Sequence, residues 1–363
     1  MKDIAVIGAG KIGSTIAELL AVTGDYAVTL IDRDQEALDR IEIGGEVTRL
    51  ALDIDAGDDL PGVLRGRYAV LSAAPFHLTT RIATAALAAR AHYLDLTEDV
   101  ASTRAVRELA RDANIAFIPQ CGLAPGFVSI AANDLAGRFE TLDCIRLRVG
   151  ALPRYPDNAL GYNLTWSTEG VLNEYIEPCE AIIQGERRLV PALEECERLS
   201  IDGIAYEAFN TSGGLGSLCE TYAGRVRELN YRTMRYPGHA AIMKLLIRDL
   251  RLGERRTMLR AILENALPAT LQDVVVILVT VIGTRDGRLM QDTLARRIEN
   301  GIVAGRPRSA IQLTTAGSIC AVLDLLAAGS LPQSGFVRQE EIELAGFLQN
   351  RFGRVFAGAA PAA

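Results

Sequence analysis

The sequence predicts an α/β protein built from a doubly wound parallel sheet and a second, α+β domain with a mixed or antiparallel sheet. Three observations support this fold class. Strand-like and helix-like segments alternate over residues 1–121, a glycine-rich turn follows the first strand, and apolar residues alternate with charged ones beyond residue 122. A chain of 363 residues exceeds what one hydrophobic core usually supports, so two domains are expected.

The first strand and helix carry the pattern of a dinucleotide-binding unit. The apolar strand 4–7 precedes three glycines with the spacing G-x-G-x-x-G. In such a turn the first glycine allows the tight bend, the second lets the backbone approach a pyrophosphate, and the third lets the helix pack on the strand. The helix predicted over 11–23 offers its N-terminal amides to the phosphates. This pattern is that of a Rossmann domain, with predicted cofactor-binding residues Gly8, Gly10, Lys11, Ile12 and Gly13.

An acidic residue, Asp32, closes the second predicted strand. A carboxylate at this position accepts hydrogen bonds from the ribose hydroxyls of NAD. The 2′-phosphate of NADP would bring a like charge close to it, and two like charges about 4 Å apart repel by roughly 4 kcal/mol at a surface-like dielectric. Asp32 therefore predicts NAD, although the neighbouring Arg33 is a residue type that can bind a 2′-phosphate. Asp53, predicted to end the third strand, lies either near the adenine or in solvent.

The first domain continues as alternating strands and helices. The expected elements are a helix at 35–43, strands at 47–54 and 68–75, a short helix at 58–65, a helix at 79–90, a strand at 92–96, a helix at 97–113 with a Thr97 cap, and a strand at 115–120. The fourth strand ends at the sheet edge where doubly wound folds bind ligands. Small residues there would let the backbone approach the nicotinamide ribose; a simple strand-terminating proline is the alternative. These residues are Ala73, Ala74 and Pro75.

Residues 122–305 are predicted to form the substrate-binding domain, and its half-exposed sheet suggests a homodimer. The expected elements are a helix at 127–137, a half-exposed antiparallel strand at 144–150, strands at 181–183, 225–229 and 274–282, and a turn at 285–288. A long apolar helix is predicted at 309–328 and another helix at 339–350. We expect residues 306–363 to return to the dinucleotide-binding domain 1–121, with a frayed alanine-rich end.

Composition argues against several kinds of partner. The formal net charge of −7 disfavours nucleic acids and anionic membranes. The first strand begins at the N-terminus without a signal-peptide pattern, and the longest uncharged apolar run, 274–284, is too short to span a bilayer. The six cysteines have neither C-x-x-C pairs nor metal-ligand spacing, so no metal site is expected. Together these observations predict a cytoplasmic protein with reduced thiols.

Three residues are candidates for acid–base chemistry. Asp95 ends the fifth predicted strand, at the edge that also carries His77, and it is either a base or orienting acid, or a helix cap. His239 follows a glycine turn between Arg235 and Lys244. A single histidine is usually structural, but one so placed in a chain with three histidines is a candidate base. The candidate catalytic residues are Asp95, His239 and His77.

Two polar segments of the second domain predict a polar substrate. Residues 162–170 combine the single tryptophan of the chain with six hydrogen-bonding side chains, and residues 211–214 form a hydroxyl–glycine turn that can hold a carboxylate with backbone amides. Either segment alone could be a cap or a loop. The predicted substrate-binding residues are Tyr162, Asn163, Trp166, Glu169, Thr211, Ser212, Arg235 and Lys244.

The same segments carry a family resemblance. The chain resembles the saccharopine dehydrogenase family, and within it the lysine 6-dehydrogenases, at residues 6–10, 122–126, 162–163, 167–170, 211–214, 235–239, 244–246 and 313–315. The resemblance implies a nucleotide domain formed by both chain ends around a mixed-sheet substrate domain. Saccharopine reductases typically carry aspartate where this chain has Ala124, and a longer substrate domain, which favours a smaller amino acid here. The role of Cys121 stays open.

The function implied by the resemblance is NAD-dependent oxidative deamination of L-lysine at C6 to 2-aminoadipate 6-semialdehyde, which cyclises to piperideine-6-carboxylate. Arg235 and the Thr211–Ser212 turn would hold the α-carboxylate, and Glu169 or Asn163 would bind the α-ammonium. The alternatives are a saccharopine-, opine- or polyamine-type dehydrogenase that uses NAD(P)H, and a non-catalytic nucleotide sensor.

Overall fold

The computed structural model describes residues 1–57 and 59–358, so the predicted helix start at Asp58 and the predicted frayed end at 359–363 lie outside the described residues. The chain divides into two compact units. The first unit comprises Met1–Ile130, Ile302–Arg308 and the chain from Gln312 onward, and the second comprises Ala131–Gly301 and Ser309–Ile311.

The first unit contains a seven-stranded parallel sheet with the order β17 (Gly335–Phe336), β6 (Ala116–Ile118), β5 (His92–Asp95), β4 (Ala69–Ser72), β1 (Lys2–Ile7), β2 (Tyr26–Asp32) and β3 (Val47–Ala51). The prediction of a doubly wound parallel sheet is confirmed. Its central strands are apolar runs because helices cover both faces; Ile4, Ala5 and Val6 are fully buried. Its elements before the second unit are β1 Lys2–Ile7, α1 Lys11–Ala21, β2 Tyr26–Asp32, α2 Gln35–Arg40, β3 Val47–Ala51, α3 Leu60–Leu64, β4 Ala69–Ser72, α4 Thr79–Ala89, β5 His92–Asp95, α5 Val100–Ala110 and β6 Ala116–Ile118. Helix α6, Phe127–Ala136, contains the division between the units at residues 130 and 131.

The second unit contains an eight-stranded mixed sheet, in which β10-β11-β12-β7-β13-β14 form the main path and β8 and β9 extend from β12. This mixed sheet also agrees with the predicted fold class. Its elements and those that follow are β7 Thr141–Pro153, α7 Thr168–Ile176, β8 Cys179–Ile183, β9 Glu186–Val190, β10 Glu197–Ile201, β11 Ile204–Asn210, α8 Leu218–Thr221, β12 Val226–Arg235, α9 His239–Lys244, α10 Arg256–Ala266, β13 Asp273–Arg285, β14 Arg288–Glu299, β15 Gly301–Val303, β16 Arg306–Arg308, α11 Ala310–Ala327, β17 Gly335–Phe336 and α12 Leu344–Gln349.

The strand predicted at 144–150 differs from expectation. It was expected to be half-exposed and antiparallel, but it lies inside β7, which pairs in parallel with β12 and antiparallel with β13. Arg148 is 4% exposed, forms an ion pair with Glu197 and donates to the Asn230 side chain at 2.8 Å. The charged position therefore faces protein partners instead of water.

Two helix predictions also need correction. Helix α5 begins at Val100, and its cap is Asp99, which accepts a hydrogen bond from the Ser102 amide at 2.7 Å; Thr97 is not the cap. The single helix predicted over 339–350 is wrong, because a 3₁₀ turn at Gln339–Glu341 precedes the separate helix α12. The Gln339 side chain is 2% exposed and donates to the Pro119 carbonyl at 2.8 Å, a tertiary contact that accompanies the break.

Helix α11 has the length and composition of a membrane-spanning helix. Other parts of this chain bury 72% of it, as in the core helix of a globular domain. Asp273, at the start of β13, is fully buried and accepts hydrogen bonds from the Ala310 and Ile311 amides at 2.5 and 3.0 Å. A carboxylate from a distant strand thus caps the N-terminus of this helix.

Candidate functional site

The glycine turn of the first unit has the shape of a dinucleotide cradle. Gly8 has a φ of +99°, and a Cβ there would lie 2.7 Å from the Ala73 carbonyl oxygen; a Cβ on Gly13 would lie 1.8 Å from the Gly8 oxygen. A Cβ on Gly10, in contrast, would meet no described atom within 4 Å. Helix α1 has no side-chain N-cap and no acidic residue in its first turn. Its N-terminal amides can therefore bind a pyrophosphate, which fits a nicotinamide dinucleotide.

Asp32 lies beside this cradle. Its Oδ2 accepts a hydrogen bond from the Ala9 amide at 2.7 Å and its Oδ1 accepts one from the Asp34 amide at 3.0 Å. Each carboxylate oxygen keeps a lone pair for a ribose hydroxyl. Arg33 is exposed.

Asp53 does not end a strand, since β3 stops at Ala51. Its carboxylate accepts hydrogen bonds from the Asp55 and Ala56 amides at 3.0 and 3.3 Å. Because these bonds form a turn, the strand ends before Asp53 and not at residue 54 as predicted.

The segment after β4 contacts the glycine turn directly, because the Ala73 carbonyl lies so close to Gly8 that it leaves no room for a Cβ there. Ala74 follows it, and Pro75 precedes a 3₁₀ turn at Phe76–Leu78. The His77 side chain is 58% exposed, with its Nε2 3.9 Å from a carboxylate oxygen of Asp55. His77 therefore lies in a largely solvated position.

Asp95 is a buried organising carboxylate. It is 1% exposed; its Oδ1 accepts hydrogen bonds from the Thr97 and Gln120 amides at 3.0 and 2.9 Å, and its Oδ2 accepts one from the Tyr93 hydroxyl at 2.8 Å. Burial raises the pKa of Asp95 to about 6, although these hydrogen bonds act in the opposite direction. The carboxylate thus joins the ends of β5 and β6, beside the buried Cys121 thiol.

We expect Asp95→Ala to lower the free energy of unfolding by about 2–4 kcal/mol, because it leaves two amides and one hydroxyl buried without their acceptor. Asp95→Asn should stay within about 1 kcal/mol of the wild type, since its oxygen can accept from both amides and its nitrogen can donate to Tyr93. Urea denaturation of the three proteins would measure these differences. Equal losses in both variants would contradict the organising role.

The pH dependence of the same variants gives a second readout. Because the pKa of Asp95 is raised in the folded protein, its contribution to stability is greatest at low pH and is lost as the pH rises through about 6. Asp95→Asn should remove that part of the pH dependence.

Glu98 is a titratable residue that the sequence did not single out. It follows β5 at the carboxyl edge of the parallel sheet, where ligands bind in this fold class. Burial raises the pKa of Glu98 to about 7, and the carboxylates of Asp99 and Asp95 add to this effect. A carboxyl group with this pKa can act as a general base near neutral pH. In the sequence it looked like one of several acids near a helix start.

The second unit holds a buried arginine at the end of β12. Arg235 is 2% exposed; its Nε donates to the Tyr175 hydroxyl at 2.9 Å and its Nη1 donates to the Met234 carbonyl at 3.0 Å. The guanidinium carbon lies 5.0 Å from the centroid of the Tyr162 ring. Burial opposes its charge, but Tyr175, Tyr162 and Glu174 together keep the pKa of Arg235 above its usual value.

Two buried hydroxyls lie in this part of the second unit. The Tyr162 Oη and the Thr165 Oγ1 are inaccessible to water, and the side chains of Thr165 and Trp166 interact with the Tyr162 hydroxyl. Buried polar groups are normally paired. Among residues 1–57 and 59–358, Arg235 forms no direct ion pair, although the charge of Glu174 acts on it. The site thus combines a buried cation with buried hydroxyls, which suits an anion.

The other predicted substrate residues lie in more ordinary settings. Thr211 bonds to the Thr233 hydroxyl at 2.7 Å, and the Ser212 hydroxyl donates to the Pro178 carbonyl at 3.0 Å. The oxygens of both still have accepting capacity, but neither offers an obvious free donor. The Trp166 ring packs where a Cβ on Gly170 would lie, only 2.4 Å away.

Three further predicted residues are bound to neighbours. Asn163 accepts from the Asn158 side chain at 3.1 Å. Glu169 lies 3.9 Å from Arg256 in a half-exposed ion pair, and Lys244 pairs with Glu194 at 2.8 Å. The described part of the chain contains no group of three or more His, Cys, Asp or Glu residues that could hold a metal ion.

His239 is buried next to Arg235 rather than open to a substrate. It is 1% exposed, its Nε2 lies 3.0 Å from the Tyr175 hydroxyl, and its Nδ1 lies 2.9 Å from the Leu160 carbonyl oxygen. Burial and the charge of Arg235 lower the pKa of His239 to about 3. Both ring nitrogens are therefore occupied by protein groups.

Sequence reasoning missed Glu174 and Tyr175, which lie on α7. Glu174 is 7% exposed and acts electrostatically on Arg235, Tyr162 and Tyr175. Helix α7 is buried along almost its whole length despite its polar residues. In the sequence, the signal for these two residues is the number of polar side chains in the short helix α7.

Comparisons with known proteins match two regions of the chain. A family model described as "Saccharopine dehydrogenase NADP binding domain" matches residues 4–118, and one described as "Saccharopine dehydrogenase C-terminal domain" matches residues 122–349. The mitochondrial alpha-aminoadipic semialdehyde synthase of Rattus norvegicus is 21% identical over 192 residues, which cover 51% of this chain and 21% of that protein. The Saccharomyces cerevisiae saccharopine dehydrogenase (NADP(+), L-glutamate-forming) is 24% identical over 186 residues, 47% of this chain and 40% of that protein. The matches thus span less than half the length of these relatives.

Two solved structures share the fold. Apo saccharopine dehydrogenase (L-Glu forming) from Saccharomyces cerevisiae superposes with a TM-score of 0.74 at 18% identity, over 94% of each chain. The homospermidine synthase of Legionella pneumophila, solved in complex with NAD, has a TM-score of 0.69 at 14% identity, over 98% of this chain and 90% of that one.

Proposed function

The chain belongs to the saccharopine dehydrogenase family, and from this membership we propose that it is an NAD(P)-dependent oxidoreductase that acts on an amino-acid substrate. The observation that carries the substrate class is Arg235, a buried guanidinium without a direct ion pair in the described ranges, next to the buried Tyr162 and Thr165 hydroxyls. A carboxylate of the substrate would pair with the remaining N–H groups of this guanidinium.

Within this class we propose L-lysine, oxidised at C6. Saccharopine has three carboxylates and would need several cationic partners. The other buried or half-buried arginines near this sheet are already paired, Arg148 and Arg232 with Glu197 and Arg256 with Glu177. One available guanidinium favours a substrate with one carboxylate. Ala124, in place of the aspartate typical of saccharopine reductases, supports the same choice. A saccharopine- or polyamine-type dehydrogenase is the alternative, since both kinds of enzyme occur among the structures that share the fold.

The proposed reaction requires a base. The substrate ammonium must lose a proton before its Cε–H bond breaks, the hydride being accepted by NAD when bound. The resulting imine takes up water and releases ammonia to leave the aldehyde. We propose Glu98 as the base, because its pKa of about 7 suits proton removal near neutral pH, whereas the carboxylate of Asp95 and both nitrogens of His239 are held by protein groups.

A substrate screen tests this proposal. NADH formation would be followed with L-lysine, L-ornithine, saccharopine, 1,5-diaminopentane and L-aspartate. We expect L-lysine to give the highest kcat/KM. Saccharopine as the best substrate would replace lysine in the proposal, and no NADH with any amine would favour the nucleotide sensor.

The proposed preference for NAD depends on Asp32, so Asp32→Ser should raise the kcat/KM ratio of NADP to NAD by about 10²–10³-fold, because it removes roughly 4 kcal/mol of repulsion with a 2′-phosphate. The matched control is Asp53→Asn, which changes a carboxylate bound to its own turn and should leave the ratio unaltered. A wild-type enzyme that already prefers NADP would contradict the assignment.

We propose that Glu174, rather than Glu169, supplies the charge for the substrate α-ammonium. Glu174 is buried near Arg235, while Glu169, on the same helix, pairs with Arg256. Glu174→Gln should raise KM for L-lysine about tenfold or more, and Glu169→Gln should change it less than about twofold. The reverse order of effects in steady-state kinetics would return the role to Glu169.

A further inference from the structure

The contacts of His239 fix the position of its ring proton. A carbonyl oxygen can only accept a hydrogen bond, so the 2.9 Å contact between Nδ1 and the Leu160 carbonyl requires a proton on Nδ1. In the neutral ring Nε2 is then an acceptor. The Tyr175 hydroxyl, 3.0 Å away, must donate to it.

The remaining contact completes a chain with a single direction. The Tyr175 hydroxyl, having donated its proton to His239, accepts a hydrogen bond from the Arg235 Nε at 2.9 Å. Arg235 donates to Tyr175, Tyr175 to His239, and His239 to the Leu160 carbonyl. Every polar atom of His239 and Tyr175 is used in this chain.

The residues around His239 favour its neutral form and so preserve this direction of the hydrogen bonds. The His239 ring stacks on Phe209 with a centroid distance of 6.1 Å and an interplanar angle of 10°, and it meets the edges of the Tyr162 and Tyr175 rings. The ionisable groups that contact it are thus Tyr175 from α7 and Tyr162 from the preceding loop, and the Arg235 charge acts on it from β12. Burial and this charge favour a neutral ring over the whole physiological range.

We infer that His239 is a positioning residue, which acts through Tyr175 to fix the Arg235 guanidinium in the orientation that binds a carboxylate. This inference rests on the amino-acid site proposed above. It removes His239 from the candidate bases, because a ring with both nitrogens bound to protein groups and no access to water has no site at which to accept a substrate proton. It also explains why a neutral imidazole lies beside a buried cation.

Nuclear magnetic resonance of the ¹⁵N-histidine-labelled protein tests the hydrogen-bond chain without any substrate. The chain has three histidines, so His77→Asn and His92→Asn assign the third by elimination. We expect His239 to show the Nδ1–H tautomer and unchanged ring shifts from about pH 5.5 to 9. An Nε2–H tautomer, or a titration in that range, would overturn the inference.

Kinetics of paired variants test the positioning role. A glutamine at 239 can present an acceptor where Nε2 lies, whereas an asparagine replaces only the Nδ1 donor. His239→Asn and Tyr175→Phe should each raise KM for L-lysine about tenfold with kcat changed less than about threefold, and His239→Gln should restore most of the affinity. Because the residues act in one chain, the double variant His239→Asn/Tyr175→Phe should be little worse than either single one.

The outcomes separate the two proposals. Equal losses of kcat in both His239 variants, with loss of an ionisation from the pH profile, would show a base and overturn the inference. If no amine is oxidised, the proposed function fails, and the tautomer measurement decides the hydrogen-bond chain alone. Thermal melts of all variants separate a loss of affinity from a loss of folding.

Discussion

Arg235→Gln is expected to lower kcat/KM for L-lysine by about 10²–10³-fold, mainly through KM. The guanidinium has its Nε and Nη1 committed to Tyr175 and Met234, and its remaining N–H groups are available for a carboxylate. Two charge-assisted hydrogen bonds in a buried site contribute roughly 3–4 kcal/mol, which corresponds to this loss. Glutamine keeps hydrogen-bonding capacity but has no charge.

A substrate that lacks the carboxylate tests the same contact from the side of the ligand. 1,5-Diaminopentane is L-lysine without its carboxylate, so it cannot use Arg235. Its kcat/KM should be low with the wild type and nearly unchanged by Arg235→Gln, whereas L-lysine should fall to a similar level. The control is Arg232→Gln, on the same strand, where the arginine is paired with Glu195 and Glu197. Equal effects of Arg235→Gln on both substrates would show that the arginine does not bind the carboxylate.

Glu98→Gln is expected to lower kcat for L-lysine by about 10²–10⁴-fold, the usual contribution of a general base. The wild-type kcat/KM should fall as the pH decreases through about 7, because the Glu98 carboxylate becomes protonated there. The variant should lose this ionisation while it retains NADH binding, which fluorescence titration would measure.

Two other carboxylates make the assignment specific. Glu108→Gln, on α5, alters an exposed residue paired with Arg111 and should behave like the wild type. Asp95→Asn should keep this ionisation but shift it to lower pH, because the Asp95 carboxylate contributes to the raised pKa of Glu98. If Asp95→Asn removed the ionisation and Glu98→Gln did not, the base would be Asp95.

The features predicted correctly from the sequence are those determined by neighbouring residues. The spacing of Gly8, Gly10 and Gly13 specifies a local backbone shape, and the apolar runs of β1 and β2 specify buried parallel strands. Asp32 is the last residue of β2, so its place beside the glycine turn could be inferred from the chain order. The class of both sheets followed from the same periodicities, whereas the parallel pairing of β7 with β12 did not.

The errors concern properties that only tertiary contacts determine. Arg148 looked solvent-exposed because its ion-pair partner Glu197 lies on a separate strand. His239 looked like a base because neither Tyr175 nor the Leu160 carbonyl is its neighbour in sequence. Glu98 was overlooked because the burial that raises its pKa cannot be seen from the adjacent residues.

The placement of β17 has a consequence for the order in which the protein is synthesised and folded. Phe336 pairs with Phe117 across a long stretch of intervening sequence, so the parallel sheet that begins at Lys2 lacks its edge strand until translation passes residue 336. Every strand of the eight-stranded sheet has been translated by Glu299. The second unit can therefore complete its sheet on the ribosome before the first unit does. For much of its synthesis the nascent chain carries the glycine turn of the first unit in an incomplete sheet.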